Sequence, residues 1–148
     1  MITDYLYKIG LAILLGILVG SEREGNKKNA GFRDIVLVYV GATLISIMAL
    51  ELTKLVELSA TNVRFDIGRL FAYSIVSLGF LCSGVITQNK KNLEGITTAV
   101  TLWTSLISGL FIGIGNYVLA IISAIAIYLI LKLKYLKIKI QTYHKKRR

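Results

Sequence analysis

The sequence predicts an all-α polytopic membrane protein, a bundle of five transmembrane helices with the N-terminus outside the cell and the C-terminus in the cytoplasm. Three observations lead to this prediction: the composition, one long uncharged run and the placement of the basic residues. The 148 residues are 55% apolar and 18% charged, whereas charged residues make up about a quarter of a typical soluble domain. Residues 95–131 contain no Asp, Glu, Lys, Arg or His, and roughly 20 apolar residues suffice to cross the hydrocarbon core of a bilayer.

Uncharged runs mark the membrane segments in order along the chain, at residues 9–21, 35–50, 70–89 and 95–131. We expect the first helix to begin at Tyr5, with Lys8 snorkelling towards the headgroups, which makes this helix about 25 Å long. The last run would be about 55 Å long as a single helix, nearly twice the thickness of the hydrocarbon core. Glycines and Asn116 near its centre therefore predict a hairpin with a break at residues 113–116, which gives five helices.

The net charge of +10 is an excess of the kind that nucleic-acid-binding proteins carry, but its distribution indicates orientation in a membrane instead. In the five-helix arrangement, 14 of the 18 Lys and Arg residues lie on one side, and the other side holds Lys8, Lys54, Arg64 and Arg69. The positive-inside rule places the more basic side in the cytoplasm. We therefore expect a membrane domain over residues 1–131 and a basic cytoplasmic tail over residues 132–148, which forms a short strand or a helix extension on anionic headgroups.

Small residues and hydroxyl groups are expected to hold the helices together, because burial of apolar surface drives no association within lipid. Small residues recur at every fourth position on three predicted helices: Ala12, Gly16 and Gly20; Ala42 and Ser46; Gly79, Ser83 and Thr87. On the fourth helix, one narrow stripe of hydroxyl side chains contains Thr97, Thr101, Thr104 and Ser108. Two interpretations of the stripe remain: packing, with hydrogen bonds to the carbonyls of the same helix, or the lining of a polar pathway.

Charged residues at the ends of the predicted helices are further candidates, since an ion near the bilayer centre costs at least ~2.5 kcal/mol. Glu22 and Arg23 end the first helix, Arg33 and Asp34 begin the second, and Asp66 with Arg69 begins the third. We expect the first two pairs to meet at the cytoplasmic face, as a structural ion-pair network or as a ligand or partner site. Asp66 either caps its helix, where the positive end of the helix dipole favours an acid, or has a functional role.

Short motifs follow one another over residues 16–117. Gly16, Gly20, Glu22 and Arg23 form G-x-x-x-G-x-E-R, followed by Ala30-Gly31-Phe32-Arg33, Gly41-Ala42, Asp66 with Arg69, Gly79-Phe80-Leu81 and Gly84-Val85-Ile86. Residues 95–103 read G-I-T-T-A-V-T-L-W, and residues 113–117 fit G-x-G-x-Y. In this order the motifs resemble the membrane domain of the MgtC/SapB family. The sequence departs from the family pattern at Ile67, where the family has proline, and at Cys82-Ser83, where it has Gly-Ala.

The resemblance implies a five-helix membrane domain, expected here without the ACT-like C-terminal domain that many family members carry. It adds Thr98 and Trp103 to the candidate functional residues. It also adds glycines to the expected packing positions, namely Gly41, Gly84, Gly95, Gly113 and Gly115. The implied function is that of a small regulator in the bacterial plasma membrane, linked to magnesium limitation and to acid or stress adaptation, that binds membrane partners such as the F-type ATP synthase. The alternative is transport of Mg²⁺, protons or a small solute. Independently of the resemblance, several glycine faces on a small helical bundle make a homodimer the expected oligomeric state.

Catalysis and a resident cofactor or metal are not expected from the residue types. Cys82 is the single cysteine and His144 lies in the basic tail, so the sequence offers neither a nucleophile–base pair nor a set of metal ligands. Magnesium requires several oxygen ligands, usually including carboxylates, and no charged residue is expected in the middle of a helix. The expected partners are therefore the lipid bilayer and other membrane proteins, and not nucleic acid.

Overall fold

A computed structural model describes residues 2–24, 31–58, 65–89 and 92–145, with side chains as far as Leu133 in the last helix. Five helices follow one another along the chain, and two short antiparallel strands connect the third helix to the fourth. The elements are α1 (Ile2–Glu24), α2 (Phe32–Leu58), α3 (Ile67–Val85), β1 (Thr87–Asn89), β2 (Asn92–Glu94), α4 (Ile96–Ile114) and α5 (Tyr117–Lys145). The prediction of five helices is confirmed, and the β1–β2 hairpin is an addition to the all-α prediction.

The break between the last two helices falls where the sequence predicts it. Gly115 has a φ of +94°, a left-handed conformation that glycine adopts at low cost. Its N–H donates to the carbonyl of Ile112, and the N–H of Asn116 donates to the carbonyl of Phe111, the pattern that commonly ends an α-helix. The side chain of Asn116 then accepts a hydrogen bond from the N–H of Leu119 at 3.2 Å, so one residue ends α4 and caps the start of α5.

Four helices are long and apolar enough to cross a bilayer, namely Ile2–Arg23, Phe32–Leu58, Ile67–Val85 and Ile96–Ile114. The apolar part of α5, Tyr117–Leu133, is shorter than these spans. The chain is therefore a multi-pass membrane protein. Of the two forms expected after residue 131, the backbone takes the helix extension, since α5 continues to Lys145.

The centre of the bundle is α4, with 61% of its apolar stretch buried against 11% of that of α3. Two glycines let α4 lie directly against α2. A Cβ atom at Gly109 would lie 2.7 Å from the Cβ of Ala42, and one at Gly113 would lie 2.2 Å from the Cβ of Ser46. The contact is also hydrogen-bonded, because Thr43 and Ser46 donate to the carbonyls of Gly109 and Leu110, each at 3.0 Å.

The other glycines expected to pack divide into three groups. Gly16 and Gly20 lie at the contact between α1 and α2, where an added Cβ would be 2.9 Å from the Cα of Val36 and 3.0 Å from that of Phe32. Gly95 and Gly115 have left-handed backbone conformations at the two ends of α4. The third group differs from the expectation, because a Cβ at Gly41, Gly79 or Gly84 would meet no atom of the described chain within 4 Å.

Candidate functional site

Buried polar groups of this bundle cluster along α4 and at its two ends. We call the end that contains Arg23 and the start of α4 the arginine end, and the end that contains Lys8 and the end of α4 the lysine end. α1 runs from the lysine end to the arginine end, and α4 runs in the opposite direction. Two cations of α1 therefore reach opposite ends of α4, and their surroundings differ.

Arg23, in the last turn of α1, is 2% exposed. Its Nη2 donates to the hydroxyl of Thr98, which is itself buried in the first turn of α4. Its Nε has no hydrogen-bond partner among the residues that the structure describes. The sequence predicts both as candidate functional residues, and the structure brings them together although they are 75 positions apart in the chain.

Gly95 fixes the position of this first turn. It caps α4 with a φ of +89° and provides no side-chain hydrogen bond to the helix. A Cβ atom at this position would lie 2.1 Å from the carbonyl oxygen of Val85, so only glycine lets the start of α4 approach the end of α3 so closely. Cys82 adds a second link between these helices, because its thiol donates to the carbonyl of Ala99 at 3.2 Å. The role of Gly95 is thus conformational as well as steric.

A row of hydroxyl side chains extends from Thr98 into the core, and it shares Thr101 and Ser108 with the predicted stripe. The buried members are Thr98, Thr101, Ser105 and Ser108, whereas Thr97 is exposed and Thr104 is only half-buried. The difference arises because the contact of Gly109 and Gly113 with α2 sets which face of α4 is turned inwards. Thr101 and Thr104 donate to the carbonyls of Thr97 and Val100 within α4, at 2.6 Å and 2.9 Å.

Tyr39 of α2 lies against this row and is completely buried. Its hydroxyl is close to those of Ser105 and Ser108, but within the described part of the chain neither the Tyr39 hydroxyl nor the Ser105 hydroxyl has a hydrogen-bond partner. Ser108 instead donates to the carbonyl of Ala120 at 3.1 Å, and Ser123 donates to Ser108 at 2.8 Å. Two unpartnered hydroxyls therefore lie together in the middle of the bundle.

At the lysine end, Lys8 is 8% exposed and does not snorkel into open headgroups as the sequence suggests. Its Nζ donates to the carbonyl of Gly113 at 3.1 Å and pairs with Asp4 at 3.2 Å. Glu51 accepts hydrogen bonds from Tyr5 and from Lys54, both at 2.8 Å. α2 continues beyond the predicted uncharged run to Leu58, so Glu51 and Lys54 lie in the last turns of this helix.

The remaining candidates do not converge on one site. At the arginine end, Glu22 is half-buried, whereas Arg33 and Asp34 are exposed, and Asp34 accepts a hydrogen bond from the N–H of Gly31 at 2.9 Å. Asp66 begins α3, whose other end meets Gly95, so Asp66 lies towards the lysine end.

Asp66 caps α3 by accepting from the N–H of Arg69 at 3.0 Å, and the two side chains form an exposed ion pair at 3.6 Å. Trp103, on α4, is 39% exposed. Within the described ranges, no group of three or more His, Cys, Asp or Glu side chains could hold a metal ion.

The sequence predicts Ser46 as a packing residue but does not reveal the polar face of α2 to which it belongs. Tyr39, Thr43 and Ser46 are all completely buried, and their spacing of four and then three residues puts them on one side of a helix. The periodicity test that selected the α4 stripe would also have found this face. Lys8, Ser105 and Gly109 were missed as partners because their roles depend on contacts between helices that are far apart in sequence.

The chain is similar to known bacterial proteins, and the model of the MgtC family matches residues 9–137. It is 33% identical over 123 residues to Protein MgtC of Salmonella typhimurium, covering 83% of this chain and 49% of that protein. It is 30% identical over 132 residues to the putative magnesium transporter YhiD of Escherichia coli K12, covering 89% of this chain and 61% of that protein. The chain thus spans about half the length of the curated relatives it matches. No solved structure matches it.

Proposed function

We propose that this chain, which belongs to the MgtC family, is a small integral-membrane regulator linked to magnesium limitation and to acid or stress adaptation. In this proposal it lies in the bacterial cell membrane with its N-terminus outside and its basic C-terminal tail in the cytoplasm. It acts by binding other membrane proteins, such as the F-type ATP synthase, or a second copy of itself, and needs no catalytic step.

The observation that carries this proposal is the open face of α3. Only 11% of the apolar stretch of this helix is buried. Ala72, Val76, Gly79 and Ser83 are all exposed, and a helical rotation of about 100° per residue puts them on one narrow stripe. Small residues let two helix backbones approach closely, and this close packing drives helix association within lipid. The α3 stripe therefore has the composition of a contact surface for another transmembrane helix.

Crosslinking in native membranes tests this proposal. Because Gly16 and Gly20 lie inside the α1–α2 contact, replacing them would disturb the fold, so the variant of choice is Gly79→Leu. We expect Gly79→Leu to abolish a crosslinked complex that the wild type forms. The matched control is Ser77→Leu, which places the same side chain at an exposed position on the other side of α3. Equal crosslinking of wild type and Gly79→Leu would refute a contact through this stripe.

Transport of an ion or small solute is a second candidate. The row of buried hydroxyls on α4, with the unpartnered hydroxyls of Tyr39 and Ser105 beside it, favours a polar pathway. Two carboxylates at the lysine end, those of Asp4 and Glu51, do not favour a cation site, because each pairs with a lysine. Purified protein in liposomes should then carry Mg²⁺ or protons down a gradient, and a Ser105→Val variant should not. Liposomes that show no flux under either gradient would eliminate this candidate.

A further inference from the structure

From the surroundings of Arg23 we infer that the arginine end of the bundle binds one phosphate group, held between the Arg23 guanidinium and the first turn of α4. The phosphate belongs either to a lipid headgroup or to a free phosphate ion, and both present the same oxygen atoms to the site. Arg23 is 2% exposed, and burial of a charge is costly unless an opposite charge and hydrogen bonds compensate it.

The contacts of Arg23 provide only part of this compensation. Thr98, the described acceptor of its Nη2, is neutral, and its Nε has no partner in the described ranges of the chain. Glu22 is close enough to interact electrostatically with the guanidinium. However, consecutive residues of a helix point about 100° apart around its axis, so Glu22 does not face the start of α4 as Arg23 does.

The start of α4 adds donors that suit an anion. The first hydrogen bond of this helix joins the N–H of Ala99 to the carbonyl of Gly95, so the N–H groups of residues 96–98 precede it and have no acceptor within the helix. Gly95 provides no side-chain cap for them. The positive end of a helix dipole lies at the same point and favours negative charge. A buried guanidinium next to it is therefore disfavoured until an anion separates the two positive charges.

Phosphate fits this set of donors better than other anions do. Arginine presents a planar fork of N–H donors that matches two phosphate oxygens, and backbone N–H groups at a helix start bind phosphate in many proteins. The hydroxyl of Thr98 accepts from Arg23 and keeps its own proton for a further oxygen.

The test compares Arg23→Gln with Lys132→Gln, a variant that removes one exposed positive charge from α5 at the same end of the bundle. In one arm, native mass spectrometry of the detergent-solubilised chain measures binding of phosphatidylglycerol against diacylglycerol with the same acyl chains. In the other arm, thermal unfolding is followed in inorganic phosphate and in sodium chloride of equal ionic strength. Binding in the first arm alone identifies a lipid headgroup as the source, and binding in the second arm identifies free phosphate.

We expect saturable binding of one phosphate-bearing molecule per chain. Charge-assisted hydrogen bonds are strong enough for Arg23→Gln to weaken this binding about ten- to a hundredfold, and Lys132→Gln should change it less than about twofold because exposed charges contribute little. Equal weakening in both variants, or no saturable binding in either arm, would overturn the inference. If Arg23→Gln does not fold, Thr98→Val takes its place in both arms. Weaker binding of the phosphate-bearing molecule by Thr98→Val supports the site, and binding equal to that of the wild type overturns the inference.

Discussion

Replacing Gly113 by alanine tests whether the close contact between α2 and α4 holds the bundle together. The new Cβ would lie 2.2 Å from the Cβ of Ser46 and 2.6 Å from the carbonyl oxygen of Thr43, so the two helices must move apart. Overpacking of this kind costs about 1–3 kcal/mol. The separation also weakens the hydrogen bonds from Thr43 and Ser46 to α4, and interhelical hydrogen bonds in membranes average about 0.6 kcal/mol each.

The gain in helix propensity from glycine to alanine, about 1 kcal/mol, opposes these losses. The expected net effect on the free energy of unfolding is therefore a loss of about 1–3 kcal/mol. Unfolding in mixed micelles of maltoside and dodecyl sulfate, followed by the fluorescence of the single tryptophan, Trp103, measures it. Gly79→Ala is the matched control, because a Cβ there would meet no described atom within 4 Å, and it should be neutral or stabilising. The reasoning is refuted if Gly113→Ala unfolds as Gly79→Ala does.

Three further variants can be measured in the same unfolding assay. Gly95→Ala should lose more than about 2 kcal/mol, because a left-handed conformation strains alanine and its Cβ would meet the Val85 carbonyl oxygen at 2.1 Å; a smaller loss would mean that the start of α4 can shift. Tyr39→Phe should leave stability unchanged or raise it by up to about 1–3 kcal/mol, because a buried hydroxyl with no described hydrogen-bond partner carries a desolvation cost that the variant removes; a clear loss would reveal a partner bound in the membrane. Lys8→Met should lose about 1–3 kcal/mol, because the carbonyl of Gly113 and the carboxylate of Asp4 both lose a donor; unchanged stability would contradict that role.

Features that depend on local sequence could be predicted, and features that depend on contacts between distant helices could not. The break at residues 113–116 could be predicted because glycine and asparagine end helices by local conformation and hydrogen bonding. Asp66 was recognised as a possible cap for the same reason, and the structure shows its side chain accepting from the N–H of Arg69. In contrast, the four-residue periodicity at Gly79 is as regular as the one at Gly16, yet Gly16 lies at a helix contact and Gly79 faces open space. Periodicity shows that residues share a face, and only the packing shows whether a helix of the same chain covers it.

The hydroxyl stripe of α4 shows a second limit of the same kind. A stripe over Thr97, Thr101, Thr104 and Ser108 and one over Thr98, Thr101, Ser105 and Ser108 differ by a small rotation of the helix, and α4 is rich enough in Ser and Thr to support both. The rotation is set by Gly109 and Gly113, which lie in direct contact with the backbone of α2. The predicted meeting of the charged pairs at the end of α1 and the start of α2 fails for a different reason. Arg23 turns towards Thr98, whereas Arg33 and Asp34 remain exposed.

The opposite ends of α4 explain why two buried cations on one helix need different partners. A helix dipole favours a cation at its C-terminal end and an anion at its N-terminal end. Lys8 reaches the C-terminal end of α4, where it donates to the carbonyl of Gly113 and pairs with Asp4, so the charge, the dipole and the hydrogen bonds all agree. Arg23 reaches the N-terminal end, where its described hydrogen-bond acceptor is the neutral hydroxyl of Thr98. The dipole of α1 favours the positive charge of Arg23 in its last turn, but the dipole of α4 disfavours that charge next to its first turn. An anion bound between the guanidinium and the first turn of α4 removes this conflict.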